Sequence, residues 1–355
     1  MYSKPKFLII QQKMIGDVLT STMICDNLKL RYPKATIDFV ANENTLAVLE
    51  NHPHIDSVIV FKNEFRKNKI AFLKFLKEIK QKKYDAVIDA YGKIESNLIS
   101  LSAKADLKIS YTKTYTSWIY NETHHTHDNP DPKMTLAIKN RVSLLSSFKI
   151  PENQLILSPS IYLSDKEKED AKHFLKTNGI SSDENIIMIS VLGSSNIKTY
   201  PAAYMAKVID TIVSYKPYTI LFNYIPSQEQ KAKEIFDLCT PKTQKHIKFN
   251  IFSNSLRGFL GIVSQCKALI GNEGGAINMA KALQTPTFAI FAPFTGKAGW
   301  FIDQNNHKAV HLKDYKPDLL NHLKRKEIIE QIDTFHKEFT PEMFSEYLTD
   351  FLKNL

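Results

Sequence analysis

Short runs of consecutive apolar residues alternate along this chain with longer stretches in which apolar residues return every three or four positions. Phe7, Leu8, Ile9 and Ile10 form the first run, the pattern of a strand buried on both faces in a parallel sheet. Residues 15–32 then carry helical spacing, which Pro33 ends because it cannot donate to the helix ladder. The alternation continues with a strand at 36–40, a helix at 43–51, a strand at 58–61, a helix at 70–81 and a strand at 86–89. Between about 110 and 132 it lapses into polar and aromatic residues, among them His124, His125, His127 and Asp128, and this stretch reads as a loop. A helix over 133–148 and a strand and linker over 151–164 complete the first half.

The second half repeats the rhythm: helix 165–178, strand 186–192, helix 201–215, strand 218–222, helix 227–238, strand 247–251, helix 256–264, strand 268–270, helix 276–283 and strand 287–291. Strands that alternate with helices in this way build a doubly wound parallel sheet. The α/β pattern divides into a domain over 1–165, a second over 166–325 and terminal helices over 326–355, which are expected to pack back on the first domain.

Composition and charge narrow this picture. A chain of 355 residues with 43% hydrophobic residues exceeds one ordinary core and matches two. Cys25, Cys239 and Cys266 stand singly on apolar segments, as buried free thiols do. No apolar stretch approaches the roughly 20 residues of a membrane span, and the start at Met1, Tyr2 and Ser3 runs into a strand rather than a signal-peptide core. The chain is therefore read as cytoplasmic. The net charge of +10 suits an anionic partner. It is densest from Lys62 to Lys83, where nine Lys and Arg residues face Glu64 and Glu78. That segment reads as a solvated helix face or as a contact for anionic lipid headgroups, placing the protein at the inner face of the membrane. Nothing in the sequence matches a nucleic-acid motif, and no nucleic-acid partner is expected.

Candidate chemistry collects at three strand ends. Gly16 and Asp17 follow the first strand, at the edge where open α/β sheets bind ligands. Asp17 reads either as a first-turn carboxylate complementing the helix dipole or as a general base. After strand 186–192 come Gly193, Ser194, Ser195 and then Lys198, with Pro201 opening the next helix. A glycine for close backbone approach, two hydroxyls and an ammonium at a helix start outline a phosphate site, without the spacing of a P-loop. The third is Gly271-Asn272-Glu273-Gly274-Gly275, again opening a helix. Glu273 repels a bare phosphate, so it is assigned to sugar hydroxyls while the adjacent amides take phosphate oxygens. Together the turns point to a nucleotide sugar.

In order and spacing, three stretches resemble those of the bacterial heptosyltransferases, glycosyltransferase family 9. They are Gly16-Asp17-Val18-Leu19, the Gly193 to Pro201 stretch, and Gly271 to Gly275 followed by Ala280-Lys281-Ala282-Leu283-Gln284-Thr285-Pro286-Thr287. The resemblance runs from residue 7 to about residue 300. It implies a GT-B fold: two Rossmann-like domains with a cleft between them, the acceptor on the first and an ADP-sugar on the second. It makes Asp17 the catalytic base, places Gly193, Ser194, Ser195, Lys198, Gly274 and Gly275 on the donor diphosphate, and Glu273 and Asn278 near the donor sugar. Glu229 is its candidate for the ribose. The acceptor is a glycolipid or oligosaccharide of the lipopolysaccharide core. Many members carry Asn-Asp-Ser-Gly and then a histidine where this chain has Asn272, Glu273, Gly274, Gly275 and later Asn278, and both differences fall beside the sugar.

The mechanism so implied is an inverting displacement needing no cofactor or metal, since no Asp-x-Asp signature is present. The histidines at 124–127 with Asp128 read as an acceptor-facing loop rather than metal ligands. Two other readings stay open on sequence alone: a nucleotide-sugar epimerase or hydrolase on the same fold, and a non-catalytic basic module at a membrane surface. A dinucleotide-dependent dehydrogenase is disfavoured, because no Gly-x-Gly-x-x-Gly follows the first strand.

Overall fold

A computed structural model describes residues 4–304 and 306–355, so the reading of Met1 to Ser3 lies outside the described residues. The chain divides into two compact units, Met1–Tyr162 and Leu163–Leu355.

The first unit runs β1 (Lys6–Ile10), α1 (Ile15–Arg31), β2 (Thr36–Asn42), β3 (Ser57–Phe61), α2 (Lys69–Gln81), β4 (Ala86–Asp89), α3 (Ile94–Ala103), β5 (Leu107–Tyr111), β6 (Glu122–His124) and α4 (Leu136–Ser143). Its strands pair in parallel in the order β3-β2-β1-β4-β5-β6. The chain leaves β1 toward β2 and β3 and returns to β4 on the other side, which makes the β1/β4 boundary the topological switch point where such sheets open a crevice. Leu8, Ile9 and Ile10 are fully buried, as a four-residue apolar run in a parallel sheet requires.

In the second unit the order is α5 (Asp165–Thr177), β7 (Ile186–Ser190), α6 (Ala202–Tyr215), β8 (Thr219–Asn223), α7 (Glu229–Leu238), α8 (Pro241–Gln244), α9 (Leu256–Val263), β9 (Ala268–Asn272), α10 (Gly275–Ala282), β10 (Thr287–Ile290), β11 (His307–Val310) and α11 (Leu312–Tyr315), followed by α12 (Arg325–Glu330), α13 (Ile332–Glu338) and α14 (Ser345–Lys353). The parallel order β11-β10-β9-β7-β8 puts the switch point between β7 and β9. Both glycine turns leave the sheet at this boundary.

Several local readings change. Residues 43–51 form a 3₁₀ turn over Glu43–Val48 instead of an α-helix. The helix read at 133–148 is α4 and a separate 3₁₀ turn at Ser146–Phe148. The stretch read as a loop from 110 to 132 contains β6, a short edge strand held by Asn121, Thr112 and the β5 ladder. At 247–251 the expected strand reduces to a single bridge from Ile247 to Ile220. In 151–164 the expected strand is a 3₁₀ turn at Glu152–Gln154 within irregular chain. The terminal helices pack apolar side chains into the core of the second unit: the Phe344 and Phe351 rings lie 6.0 and 5.6 Å from Phe288, and Tyr200 donates its hydroxyl to the Phe339 carbonyl at 2.5 Å. Leu348, Phe351 and Leu352, at helical spacing, face that core.

Candidate active site

In the first unit the site begins at the carboxyl end of β1. Gln11 and Gln12 are buried there, and both polar atoms of the Gln12 amide, with Gln11 Oε1 and Asn42 Oδ1, lack hydrogen-bond partners among the described residues. Buried amides without partners are costly, and these cluster at the carboxyl ends of β1 and β2. The Met14 side chain leaves the start of α1 uncapped. Asp17 sits one turn in, with its side chain 30% exposed.

Asp17 is not alone. Arg141 NH2 donates to Asp17 Oδ1 at 2.7 Å, its Nε donates to Ser21 Oγ and its NH1 to the Ala137 carbonyl, each at 3.3 Å. The guanidinium is therefore oriented by three partners within the first unit, and it fixes one carboxylate oxygen while Oδ2 makes no hydrogen bond among the described residues. Sequence reasoning missed Arg141. Its signal was there: position 141 falls on the same helical stripe as Ala137 and Leu144, both buried, and an arginine on a buried face needs an anionic partner.

The histidine loop is tied to the same helix. His127 N donates to Asn140 Oδ1 at 2.6 Å, Lys139 pairs with Asp131 at 3.3 Å, and His124 Nε2 meets Glu122 Oε1 at 2.6 Å. Among the described residues no group of three His, Cys, Asp or Glu side chains could hold a metal ion.

In the second unit the two glycine turns are one structure. Gly193 lies so close to its own turn that a Cβ there would come 2.4 Å from the Lys198 carbonyl oxygen. Thr199 Oγ1 accepts from Gly193 N at 3.0 Å and donates to the Ser195 carbonyl at 2.9 Å, which closes the loop. Across it, Gly271 adopts φ +130° with Ser190 O 2.4 Å from where its Cβ would be. Asn272 then clamps both turns, accepting from Tyr200 N at 2.7 Å and donating to the Ser190 carbonyl at 2.9 Å. Lys198 Nζ donates to Glu273 Oε1 at 2.9 Å, and Glu273 is almost wholly buried.

Gly274, at φ +151°, is the N-cap of α10 and supplies no side-chain cap. The first N–H groups of a helix have no intrahelical partners, so the positive end of α10 stands open. No atom lies within 4 Å of a Cβ added at Gly274, and only Met279 Cε, at 4.0 Å, approaches one at Gly275. Ser194 and Ser195 are exposed beside Lys198, and Asn278 is half-buried one turn along α10. Glu229 opens α7 at a groove of about 510 Å³ that Phe249 also lines. Gln228 Nε2 and Lys231 Nζ join this helix start to the Gly193 carbonyl at 3.3 Å and to Asn196 Oδ1 at 2.6 Å. Behind α10, burial pushes the Lys281 ammonium down to about 8; its Nζ lies 3.2 Å from the Trp300 carbonyl and 4.8 Å from the Phe301 ring centre.

Two glycine turns clamped across a switch point, with a lysine near an open helix start, offer backbone amides and a positive charge of the kind an anion can use. The profile of glycosyltransferase family 9 (heptosyltransferase) matches residues 72–315. The chain belongs to glycosyltransferase family 9. The match spans both glycine turns and Arg141, while Asp17 lies before it. Lipopolysaccharide heptosyltransferase 1 of Campylobacter coli is 24% identical over 297 residues, covering 81% of this chain and 83% of that protein. Among solved structures, the chain is similar to a family 9 glycosyl transferase of Veillonella parvula, with a TM-score of 0.76 at 17% identity, covering 96% of this chain and 99% of the other. It is also similar to the E. coli ADP-heptose lps heptosyltransferase II, with a TM-score of 0.70 at 17% identity, covering 94% and 99%. The fold is thus GT-B, with two Rossmann-like units, and the protein is a glycosyltransferase of the heptosyltransferase family. No helix among the described residues is long and apolar enough to cross a membrane.

Proposed function

We propose that this family 9 glycosyltransferase transfers a heptose or related sugar, with inversion, from an ADP-sugar to a lipopolysaccharide-core acceptor at the cytoplasmic face of the membrane. The observation that carries the reading is the joined pair of glycine turns, with Lys198 held at the open start of α10 by Glu273. The ADP-heptose named for the E. coli relative supports the choice of donor, as does the groove beside Glu229 and Phe249, which suits a nucleoside.

In this mechanism Lys198, the hydroxyls of Ser194 and Ser195 and the amides of Gly274 and Gly275 take the diphosphate, whose charge grows as the anomeric C–O bond breaks. Asp17, oriented by Arg141 through Oδ1, accepts the acceptor hydroxyl proton as that oxygen forms the new glycosidic bond. Glu273 keeps its second carboxylate oxygen for a sugar hydroxyl, with Asn278 one turn further on. The longer Glu273 arm and the amide of Asn278 adjust this site to the donor sugar.

Incubation with ADP-heptose and a de-acylated core oligosaccharide tests the reading. The expected product is one heptose heavier by mass spectrometry, with its anomeric configuration inverted relative to the donor. Release of free sugar or of an epimer in place of that product would contradict it.

A further inference from the structure

Half of the large apolar side chains that stand exposed among the described residues fall between Ile70 and Trp118, in the first unit and outside the site above. Ile70 and Leu73 are 69% and 64% exposed on α2; Ile94, Leu98 and Leu101 are 72%, 39% and 40% exposed on α3. These spacings put each set on one helical stripe. The helices lie side by side: both cross between parallel strands, Ser102 Oγ donates to the Leu76 carbonyl at 2.7 Å, and Arg66, just before α2, pairs with Glu95 at 3.0 Å. These contacts put the two exposed stripes on adjacent helices.

The surroundings of these stripes identify their partner. Lys67, Lys69, Lys74 and Lys77 are exposed along α2, and Lys93 precedes α3. The nearby ion pairs use Arg66 and Lys82 and leave these five ammonium groups without one among the described residues. Tyr115 and Trp118, 69% and 73% exposed, stand just before and within the 3₁₀ turn Ser117–Ile119 that follows β5, next to α3: Lys113 reaches the Gly92 carbonyl and Tyr120 reaches Asn97. An apolar ridge with a lysine fringe and an aromatic end matches the layering of a bilayer interface, where acyl boundary, anionic headgroups and the amphipathic belt lie in that order. A soluble protein partner would favour evenly mixed charge at the rim, whereas here nine Lys and Arg residues between Lys62 and Lys83 outnumber Glu64 and Glu78.

We infer that the α2–α3 face of the first unit, with Ile70, Leu73, Ile94 and Leu98 as its apolar ridge, docks on an anionic phospholipid surface. The inference rests on the reading that the acceptor is lipid-borne. The aromatic end of the ridge adjoins the carboxyl edge of the sheet that also carries Asp17, so docking would present headgroup sugars to the edge where the base stands.

Vesicle sedimentation without donor or acceptor tests this. The wild-type protein should sediment with phosphatidylcholine–phosphatidylglycerol vesicles and not with phosphatidylcholine alone. Lys74→Gln combined with Lys77→Gln should lower partitioning about 30-fold at low salt, and Leu73→Ser with Ile94→Ser at least about tenfold, with melting temperatures unchanged. Both variants should keep wild-type transfer to a soluble de-acylated acceptor, whereas failure of that transfer in all three proteins would count against the proposed reaction and leave the vesicle result to judge the surface. Equal partitioning of variants and wild type would overturn the inference. So would a wild type that ignores anionic vesicles and instead dimerises through this face, with Leu73→Ser abolishing the dimer in sedimentation velocity.

Discussion

Lys198 Nζ lies 2.9 Å from Glu273 Oε1, across 75 residues of sequence, and joins the two glycine turns of the second unit. The pair has a consequence for ligands. In the proposed reaction Lys198 has to serve a buried carboxylate and an incoming diphosphate at once, so Glu273 would compete with the anion for the ammonium.

Lys198→Ala and Glu273→Gln should therefore move nucleotide affinity in opposite directions. Calorimetry with ADP should show binding weakened about 10- to 100-fold in Lys198→Ala, as loss of a charge-assisted hydrogen bond implies, and strengthened several-fold in Glu273→Gln. Transfer should fall in both, because Glu273 is also the proposed sugar contact. Weaker ADP binding in both variants would dissolve the competition.

Asp17→Ala should lower kcat by a factor of about 10² to 10⁴ while changing donor affinity less than about twofold, which steady-state kinetics and a donor titration separate. Arg141→Ala should reduce kcat by a smaller factor and leave the donor KM unchanged, because it orients the base and is placed in the first unit. Arg141→Lys keeps the charge but loses the forked geometry and should fall between wild type and Arg141→Ala. A changed donor KM in Arg141→Ala would assign Arg141 to the donor.

Gly271→Ala should be among the most damaging single changes in the second unit. The added Cβ would crowd the Ser190 carbonyl oxygen, carbon and amide nitrogen, all main chain, from a backbone at φ +130°. A loss of at least about 2 kcal/mol is expected from strain alone, readable by thermal or urea unfolding. Gly275→Ala, whose Cβ meets no more than Met279 Cε at 4.0 Å, should melt like wild type but bind the diphosphate less well.

Burial holds the Lys281 ammonium at about 8 in the folded protein, against about 10.4 in an unfolded chain. In that window the unfolded chain binds more protons, so this residue makes stability rise with pH from about 8 to about 10.4 and costs stability below it. Lys281→Met should thus be more stable than wild type at pH 7 by about 1–3 kcal/mol, and the gap should close toward pH 10. Denaturant titrations at the two pH values check this, and a gap that widens with pH would contradict it.

The runs at Phe7 to Ile10 and Ile186 to Leu192 announce their strands because a sheet covered on both faces tolerates little else. The glycine turns are equally legible, since few other residues fit positive φ or so close a backbone approach. The edge strands β6 and β11 are not, because β6 is the half-buried Glu-Thr-His and β11 opens with His307 and Lys308, neither of which forms an apolar run. That the two turns are clamped together by Asn272 is invisible in a linear pattern: Asn272 reads as a loop residue, and its two hydrogen bonds depend on β9 pairing with β7. Arg141 is hidden for a related reason, 124 residues from the carboxylate it orients.

The most direct test of the central claim is a calorimetric titration of wild type, Asp17→Asn and Lys198→Ala with ADP-heptose, UDP-sugars and GDP-sugars. The account predicts that ADP-heptose binds wild type and Asp17→Asn alike, that it binds Lys198→Ala at least about tenfold more weakly, and that UDP- and GDP-sugars bind poorly to all three. Tight binding of a UDP- or GDP-sugar with none of ADP-heptose, or ADP-heptose binding indifferent to Lys198, would contradict it.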